Sequence, residues 1–219
     1  MSTSLAQVNT DQPDAHEFQP LLDRARQGDL QALGQLLQWY AHYLTILATS
    51  QLDRRIRRRV SPSDVVQEVL LAAHRDFGDF RGNSQPELLM WIRRILINTL
   101  HRSFETHVKA GKRDIRREVS IDAITQSVDH SAGQLLTLIQ DRVAPPSARM
   151  SAEEDALVLA NQLGRLRPAY RDVIVYRVVQ GLSFDEIGEA MGKSTTAVRM
   201  LWLRALDAFK VQGSVPNVD

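Results

Sequence analysis

Apolar residues recur every three or four positions along most of this chain, which is the spacing of helices that bury one face. Two segments show the pattern best. The first places its inward side chains at Val65, Val66, Val69, Leu70, Ala73 and Phe77. The second places them at Leu88, Ile92, Ile95, Leu96 and Thr99. No segment alternates apolar and polar residues as a half-buried strand would, so the sequence predicts an all-α protein.

Residues with hydrogen-bonding side chains mark where three of these helices begin. Ser61 is followed directly by proline, and serine at the N-cap with proline in the first turn is a common helix start. Ser84 precedes Glu87 by three residues, which is the spacing of a capping box. Ser183 precedes Glu186 by the same spacing and predicts the start of a helix near the C-terminal end.

The region after Ser183 has the pattern of a helix-turn-helix. Gly192 lies where the chain must turn, because glycine tolerates a positive φ. Ser194 or Thr195 can cap the second helix. The inward positions of that helix are Val198, Leu201 and Ala205. The spacing suits a helix that enters the major groove of DNA, although an ordinary helical hairpin shares it.

Composition and local complexity divide the chain into two helical domains joined by a flexible linker. Residues 109–152 are basic at first, then rich in polar residues, and end in a proline-containing stretch, which is long for a loop within one domain. We expect some local order in this linker but an unstructured middle. The predicted segments are a flexible leader (1–19), a first domain (20–108), the linker (109–152), a second domain (153–212) and a tail (213–219).

Several function classes are excluded by composition. The chain has no cysteine, and its six histidines lack the spacing of metal ligands, so neither a disulfide framework nor a metal site is expected. No apolar run approaches the roughly 20 residues that cross a bilayer, so no membrane insertion is expected. Residues 1–19 contain no lysine or arginine and no apolar stretch, so we expect a leader and not a secretory signal.

The net charge and its distribution predict how tightly the chain alone would bind DNA. The net charge is only +1, and residues 153–212 contain as many acidic as basic side chains. Affinity for duplex DNA comes mainly from neutralised phosphates. We therefore expect weak binding by the chain alone and a role inside a larger assembly.

Three groups of polar residues in the first domain have two interpretations each. One helix face combines Asp64, Gln67, Glu68, Leu71 and Arg75 and suits either another helix or solvent. A second face combines Trp91, Arg94, Asn98, His101 and Arg102. It suits nucleic acid, although Trp91 also suits the core. Residues 54–59 contain five arginines, which either bind phosphate or form a solvated surface.

Together these pieces resemble the extracytoplasmic-function (ECF) sigma factors, a group within the sigma-70 family of bacterial RNA polymerase. The resemblance covers about residues 20–212. It rests on DVVQEVLLAAHRDFGDFRG at 64–82, WIRRILINTLHR at 91–102, and the C-terminal helix-turn-helix, in that order. It implies a sigma-2-like domain and a sigma-4-like helix-turn-helix domain, which bind core RNA polymerase and promoter DNA in the cytoplasm.

The resemblance also implies a role for particular residues. Those implied to dock on core polymerase are Asp64, Gln67, Glu68 and Leu71. Those implied to read the −10 element as a single strand are Phe80, Asn83, Ser84, Gln85, Arg94, Ile95, Asn98 and Arg102. Among them, Phe80, Ile95 and Asn98 are implied to line a pocket for a flipped base, which the loop Asn83–Gln85 closes. Those implied to read the −35 duplex are Thr195, Thr196, Arg199, Met200, Leu203 and Arg204. The linker would thread the polymerase channels, and an anti-sigma factor is an expected partner.

Two features depart from the family pattern. The loop after Phe80 is longer than in similar proteins, so the resemblance does not give the base preferred in the −10 element. Met200, Leu201 and Leu203 are less polar than is usual, which favours recognition of the −35 element through phosphates and DNA shape.

Two other functions compete with that of a sigma factor. One is a helix-turn-helix regulator that never engages polymerase. The other is an enzyme acting on nucleic acid, which would need clustered carboxylates or an activated nucleophile, and the sequence contains neither constellation. No catalytic residue, cofactor or metal is therefore predicted.

Overall fold

The computed structural model describes residues 15–52, 54–57, 59–109, 120–140 and 152–213. All regular structure in these ranges is helical, which confirms the predicted all-α class. The α-helices are α1 (Ala15–Arg26), α2 (Leu30–Gln38), α3 (Ala41–Gln51), α4 (Arg54–Arg57), α5 (Pro62–Asp76), α6 (Gln85–Lys109), α7 (Ile121–Gln140), α8 (Ala152–Gly164), α9 (Pro168–Ile174), α10 (Phe184–Met191) and α11 (Thr195–Gly213). A 3₁₀ turn (Phe77–Asp79) follows α5, and a π-helical turn (Val175–Val179) continues α9.

Helix α3 lies at the centre of the fold. Its buried residues cover every side of the helix, as expected for an element surrounded by others. They are Tyr43, Leu44, Ile46, Leu47, Ala48, Thr49 and Ser50. Helices α5, α6, α7 and α8 all pack against α3, so one continuous core joins the two predicted domains.

The helix starts predicted from the sequence are confirmed by their hydrogen bonds. Ser61 caps α5 and accepts from the N–H of Asp64, whose carboxylate accepts in return from the N–H of Ser61. Ser183 and Glu186 form the same reciprocal pair at the start of α10. The chain leaves α10 through Gly192, which has a φ of 65°. At this left-handed conformation a side chain would be strained.

The expected linker contains a helix, which corrects the prediction of an unstructured middle. Ser120 caps α7 by accepting from the N–H of Ala123. The buried residues of α7 are Ile124, Val128, Ala132 and Leu135. This spacing of three and four is a helical signal that the many polar residues between them obscure. Because α7 packs against α3, α6 and α8, it lies between the two halves of the chain.

The C-terminal half packs closely on α3. Gly164 ends α8 against the His42 ring, and a Cβ at this glycine would overlap that ring. Gln180 donates from its side chain to the carbonyl oxygen of Ser50, at the end of α3. The free chain is therefore a closed arrangement of its two halves.

Parts of several predictions lie outside the described residues. These are the leader to residue 14, the basic linker start at 110–119, the proline-containing stretch within 141–151 and the tail from residue 214. Helix α1 begins at Ala15, inside the segment predicted as a leader. Across the ranges given above, no helix has the length and apolar character needed to cross a membrane.

Candidate polymerase and nucleic-acid surfaces

The face of α5 predicted to dock on polymerase is exposed along its length. Asp64, Gln67 and Glu68 lie at the surface, and Leu71 is 72% exposed. The opposite side of α5 packs into the core through Val65, Val66 and Val69. Leu71 is therefore an exposed apolar side chain on a face that otherwise carries acidic and amide side chains. The opposite side of α5 anchors the helix in the core.

Asp64 also has a structural role within that face. Hydrogen bonds from Ser61, the side-chain contact first, lower the pKa of the Asp64 carboxyl below its ordinary value. The carboxylate is therefore charged at neutral pH and fixes the start of α5. A substitution of Asp64 would loosen this helix start as well as alter the docking face.

An aromatic cluster supports the segment predicted to hold the −10 strand. Phe77, Phe80 and Trp91 pack together, with ring centroids of Phe80 and Trp91 5.4 Å apart and those of Phe77 and Phe80 6.1 Å apart. Phe80 is only 6% exposed, and Trp91 is half-buried. The structure thus places the Phe80 ring in the core and packs the Trp91 ring against the core, with little of Phe80 free to contact a base.

The remaining predicted −10 residues divide into exposed and buried ones. Arg94, Asn98 and Arg102 are exposed along α6, and Ile95 is partly buried beside them. Gln85 is buried at 6% exposure, so its side chain offers little contact to DNA. The exposed set therefore forms a polar stripe that continues along α6 from the aromatic cluster.

Helix α7 lies beside this stripe and narrows it to a groove. Arg94 and Asn98 line an open cavity of about 410 Å³, which is also lined by Ile121, Thr125 and Asp129 of α7. Arg93, which directly precedes Arg94 of the stripe, forms an ion pair with Asp129 at 3.3 Å. In the closed chain α7 therefore lies beside the surface of α6 that is predicted to bind the −10 strand.

The loop of residues 82–84 before α6 is held from two sides. Glu87 accepts hydrogen bonds from the N–H groups of Asn83 and Ser84, at 2.7 and 3.0 Å, and from the Ser84 hydroxyl at 2.8 Å. The N–H of Asn83 is the first cause of the lowered pKa of the Glu87 carboxyl. From the other side, Arg26 of α1 donates to the Asn83 side chain at 2.9 Å and to the carbonyl oxygen of Gly82.

The helix-turn-helix has the geometry that the sequence predicted. Val198 and Ala205 are buried and Leu201 is partly buried, while Thr196, Arg199, Met200, Leu203 and Arg204 are exposed. Ser194 caps α11 by accepting from the N–H of Ala197 at 3.3 Å. Thr195 is partly buried and donates its hydroxyl hydrogen to Asp185 of α10, so this hydroxyl links the two helices.

Two contacts shape the helix-turn-helix, one at its turn and one at Arg199. A Cβ at Gly188 would lie 2.8 Å from the carbonyl oxygen of Lys193, so only glycine allows α10 to approach the turn this closely. The guanidinium of Arg199 lies over the Phe184 ring, 5.7 Å from its centroid. This cation–π contact holds Arg199 outward on the exposed face of α11.

One of the five arginines in residues 54–59, Arg57, has a structural role. Arg57 donates to the carbonyl oxygens of Leu52 and Thr49, at 2.9 and 2.7 Å, and so closes the end of α3. Its guanidinium also lies over the Tyr176 ring, 4.9 Å from the centroid. In the closed chain Arg57 therefore joins the two halves. The side chains of Arg54 and Arg55, and all of Arg58, lie outside the described residues.

Comparison with known proteins identifies the family of this chain. Residues 15–212 match the family described as ECF sigma factor. The chain belongs to the ECF sigma factor family. Sigma factors of this family are regulatory subunits of transcription initiation, so core RNA polymerase and promoter DNA are the partners that membership implies.

Individual relatives align over nearly their whole length. The chain is 30% identical over 200 residues to the ECF RNA polymerase sigma-E factor of Escherichia coli (strain K12), covering 89% of this chain and 94% of that protein. The same values apply to the sigma-E factor of Salmonella typhimurium (strain LT2). The RNA polymerase sigma-H factor of Pseudomonas aeruginosa is 29% identical over 192 residues, covering 87% of this chain and 90% of that protein.

The sequence missed two contributors to the surfaces of this sigma factor. Helix α7 could have been found from its inward spacing of three and four residues. Arg26 has no such local signal, because the residue it contacts lies 57 positions away along the chain.

Proposed function

We propose that this sigma factor docks on core RNA polymerase through the exposed face of α5 and gives the enzyme its promoter specificity. In this proposal the polar stripe of α6 and the loop before it bind the separated −10 strand. The exposed face of α11 binds the −35 element as duplex. The residues proposed for docking are Asp64, Gln67, Glu68 and Leu71. Those proposed for the −10 strand are Asn83, Ser84, Arg94, Asn98 and Arg102, and those proposed for the −35 duplex are Thr196, Arg199, Met200, Leu203 and Arg204.

One observation carries the proposal, namely that the surfaces proposed for docking and for the −10 strand lie next to each other on two helices that pack together. Glu68 of α5 and Arg102 of α6 approach each other to 3.7 Å, and the two helices share a core. Docking of α5 would therefore bring α6 to the place where the polymerase separates the strands. A stand-alone regulator would have no use for a second exposed surface at this position.

The two DNA-reading surfaces require the closed chain to open. The −10 and −35 elements lie about 25 base pairs apart along the promoter, which is about 85 Å of duplex. A single folded body of this length has a radius of gyration of about 17 Å, too small to reach both elements. The contacts of α7 and α8 with α3 must therefore separate when the promoter is bound.

Promoter opening in this proposal involves no covalent chemistry by the sigma factor, which we infer is not an enzyme. Flipping a base out of the duplex costs a few kcal/mol. Stacking and hydrogen bonding of an unpaired base recover about 1–3 kcal/mol for each base. Binding of the separated strand thus offsets the cost of opening it, with the polymerase carrying out RNA synthesis.

We further propose a cytoplasmic location, where core polymerase and DNA meet, and regulation by an anti-sigma factor. The support for such a partner is Leu71, which is 72% exposed on the docking face. A protein that covered Leu71 would compete directly with polymerase. Loss of this competition when Leu71 is replaced by alanine would support the assignment, and unchanged competition would place the inhibitor elsewhere.

The proposed function is tested by run-off transcription with purified core polymerase, with and without the full chain, on a pool of genomic promoter fragments. We expect specific transcripts only when the chain is present, together with co-elution of the chain and the core enzyme. Binding of −35 duplex by the chain alone, with neither transcripts nor co-elution, would instead favour a stand-alone regulator.

A further inference from the structure

The contact between Arg26 and the loop before α6 supports that loop, but the proposed function gives Arg26 no role in DNA recognition. Arg26 is the last residue of α1, and its guanidinium reaches across to the loop that precedes α6. One nitrogen donates to the Asn83 side-chain oxygen at 2.9 Å, and the other donates to the carbonyl oxygen of Gly82. The two hydrogen bonds form a fork that holds side chain and backbone together.

The backbone of this loop is already fixed without Arg26. Glu87 accepts from the N–H groups of Asn83 and Ser84. Gly82 lies against the Phe80 ring, where a Cβ would come within 2.6 Å of the ring carbon Cζ. What the Arg26 contact adds is therefore the orientation of the Asn83 side chain.

The chemistry of the two groups determines that orientation. A guanidinium has five N–H donors and no acceptor, whereas an asparagine amide has one accepting and one donating end. Arg26 must therefore bind the oxygen of Asn83. The NH₂ group of Asn83 is left as a donor, and without Arg26 the amide could turn by half a rotation and offer either end.

We propose that Arg26 is a positioning residue for base selection in the −10 element. By holding the Asn83 oxygen, it makes the loop a hydrogen-bond donor, which selects an unpaired base that presents an acceptor at this point. This inference rests on the proposed function, in which the loop lies against the separated strand. It assigns part of the base preference to α1, outside the segment that contacts DNA.

Substitution of Arg26 should leave the fold intact, because both Arg26 and Asn83 are exposed. Arg24 is a matched control on the same helix. It is also exposed, but it binds Asp29, at 2.6 Å, and not the loop. Arg24→Ala therefore reproduces the loss of one surface charge without altering Asn83.

The test uses holoenzyme assembled from core polymerase and the full chain. A promoter that the wild type transcribes is prepared with each of the four bases at every −10 position. Run-off transcripts from each template are compared for the wild type, Arg26→Ala, Arg26→Lys and Arg24→Ala. At the position read by the loop, we expect the ratio between the best and the worst base to fall about tenfold in Arg26→Ala. Arg26→Lys should recover part of that ratio, and Arg24→Ala should retain it.

Two further variants test whether Arg26 acts through Asn83. In an Asn83→Ala background, Arg26→Ala should cause no additional loss of base selection, which is the result expected of one coupled unit. Asn83→Asp keeps the partner of Arg26 but offers only acceptors. We expect it to reverse the preference toward bases that present a donor.

The outcomes separate this inference from the proposed function. If the wild-type chain supports no promoter-dependent transcript, the proposed function fails and this inference fails with it. If the wild type selects a base and Arg26→Ala selects it equally well, this inference alone is wrong. It is also wrong if Arg26→Ala lowers transcription by the same factor on all four templates, since that would indicate a general contact.

Discussion

Glu68 of α5 and Arg102 of α6 form an ion pair with 3.7 Å between the carboxylate and guanidinium. Their side chains are 51% and 58% exposed, so solvent screens the pair and its contribution to stability is small. Its significance lies in its position, because it joins the face proposed to dock on polymerase to the surface proposed to bind the −10 strand. In the proposed complex, Glu68 would exchange this ion pair for a contact with polymerase, and Arg102 would exchange it for a contact with a DNA phosphate.

The first prediction concerns the docking face. Replacing Glu68 and Leu71 together with alanine should weaken binding to core polymerase about tenfold or more, because Leu71 is the exposed apolar residue of that face. Thermal unfolding should be unchanged. Leu30→Ala is the matched control, since Leu30 is a leucine that is 65% exposed and belongs to α2, not to the proposed face of α5. Unchanged affinity in the double variant, measured by titration of labelled core enzyme, would show that the docking face lies elsewhere.

The second prediction concerns −35 recognition. Arg199→Ala should lower discrimination between a matched and a mismatched −35 element by about 1–3 kcal/mol, the value of a good arginine contact with a base. Arg177→Ala serves as the control. Arg177 lies over the same Phe184 ring, at 5.0 Å, but donates to the carbonyl oxygen of Leu182 and lies outside α11. Equal effects of the two variants on transcription from both promoters would argue against a base contact by Arg199.

The third prediction compares two glycines. Gly188→Ala should destabilise the helix-turn-helix by about 1–3 kcal/mol, because the added Cβ would press on the carbonyl oxygen of Lys193. Gly34→Ala should instead stabilise the protein by about 0.5–1 kcal/mol, since Gly34 is exposed within α2 and has open space at this position. Denaturant unfolding of both variants measures the difference, and shifts of the same sign would contradict it.

The fourth prediction concerns acid stability. The N–H of Ser183 is the first cause that lowers the pKa of the Glu186 carboxyl, and the pKa values of Asp64 and Glu87 are lowered by comparable helix-start hydrogen bonds. A carboxyl whose pKa is lower in the folded state stabilises the fold above its unfolded pKa. That stability is lost as the pH falls through the folded value.

The melting temperature should therefore fall as the pH is lowered from about 5 to about 3. Glu87→Gln keeps an accepting oxygen but does not titrate, so its melting temperature should depend less steeply on pH in this range. A pH profile of Glu87→Gln parallel to that of the wild type would show that Glu87 does not contribute.

The fifth prediction concerns opening of the closed chain. The sequence has no cysteine, so two can be introduced for spin or dye labels without background. Labels at Gln19→Cys and Glu189→Cys, both exposed, should move apart by tens of ångströms on addition of core polymerase and promoter, because about 85 Å separates the two DNA elements. Labels at Gln19→Cys and Gln38→Cys, both in the N-terminal half, should keep their distance. If the distance between the labels at residues 19 and 189 is the same in the complex with polymerase and promoter as in the free chain, the proposed opening is wrong.

Much of the local structure could be predicted because it depends on neighbours along the chain. The serine and glutamate pairs at Ser84 and Ser183 form their helix starts through hydrogen bonds that span three residues. The inward stripes of α5, α6 and α11 follow from helical spacing alone. Gly192 was recognised because a sharp turn needs a residue that tolerates a positive φ.

For helix α7, the local sequence pattern does not decide between a packed helix and a solvated linker. Its inward residues have helical spacing, but its polar residues also suit a solvated linker, and the difference depends on whether another surface covers the stripe. That surface is supplied by α3, α6 and α8. Most helical stability in proteins comes from such packing and not from propensity.

By itself, the sequence determined the helical class, the helix starts, the turn of the helix-turn-helix and the residues on each exposed face, since these depend on spacing and on hydrogen bonds between near neighbours. The tertiary structure decided which of those residues remain accessible. It buried Phe80 and Gln85, placed α7 against the −10 surface, and brought Arg26 to Asn83 across 57 positions of chain. Contacts of this kind depend on how helices pack in three dimensions, which no local pattern encodes.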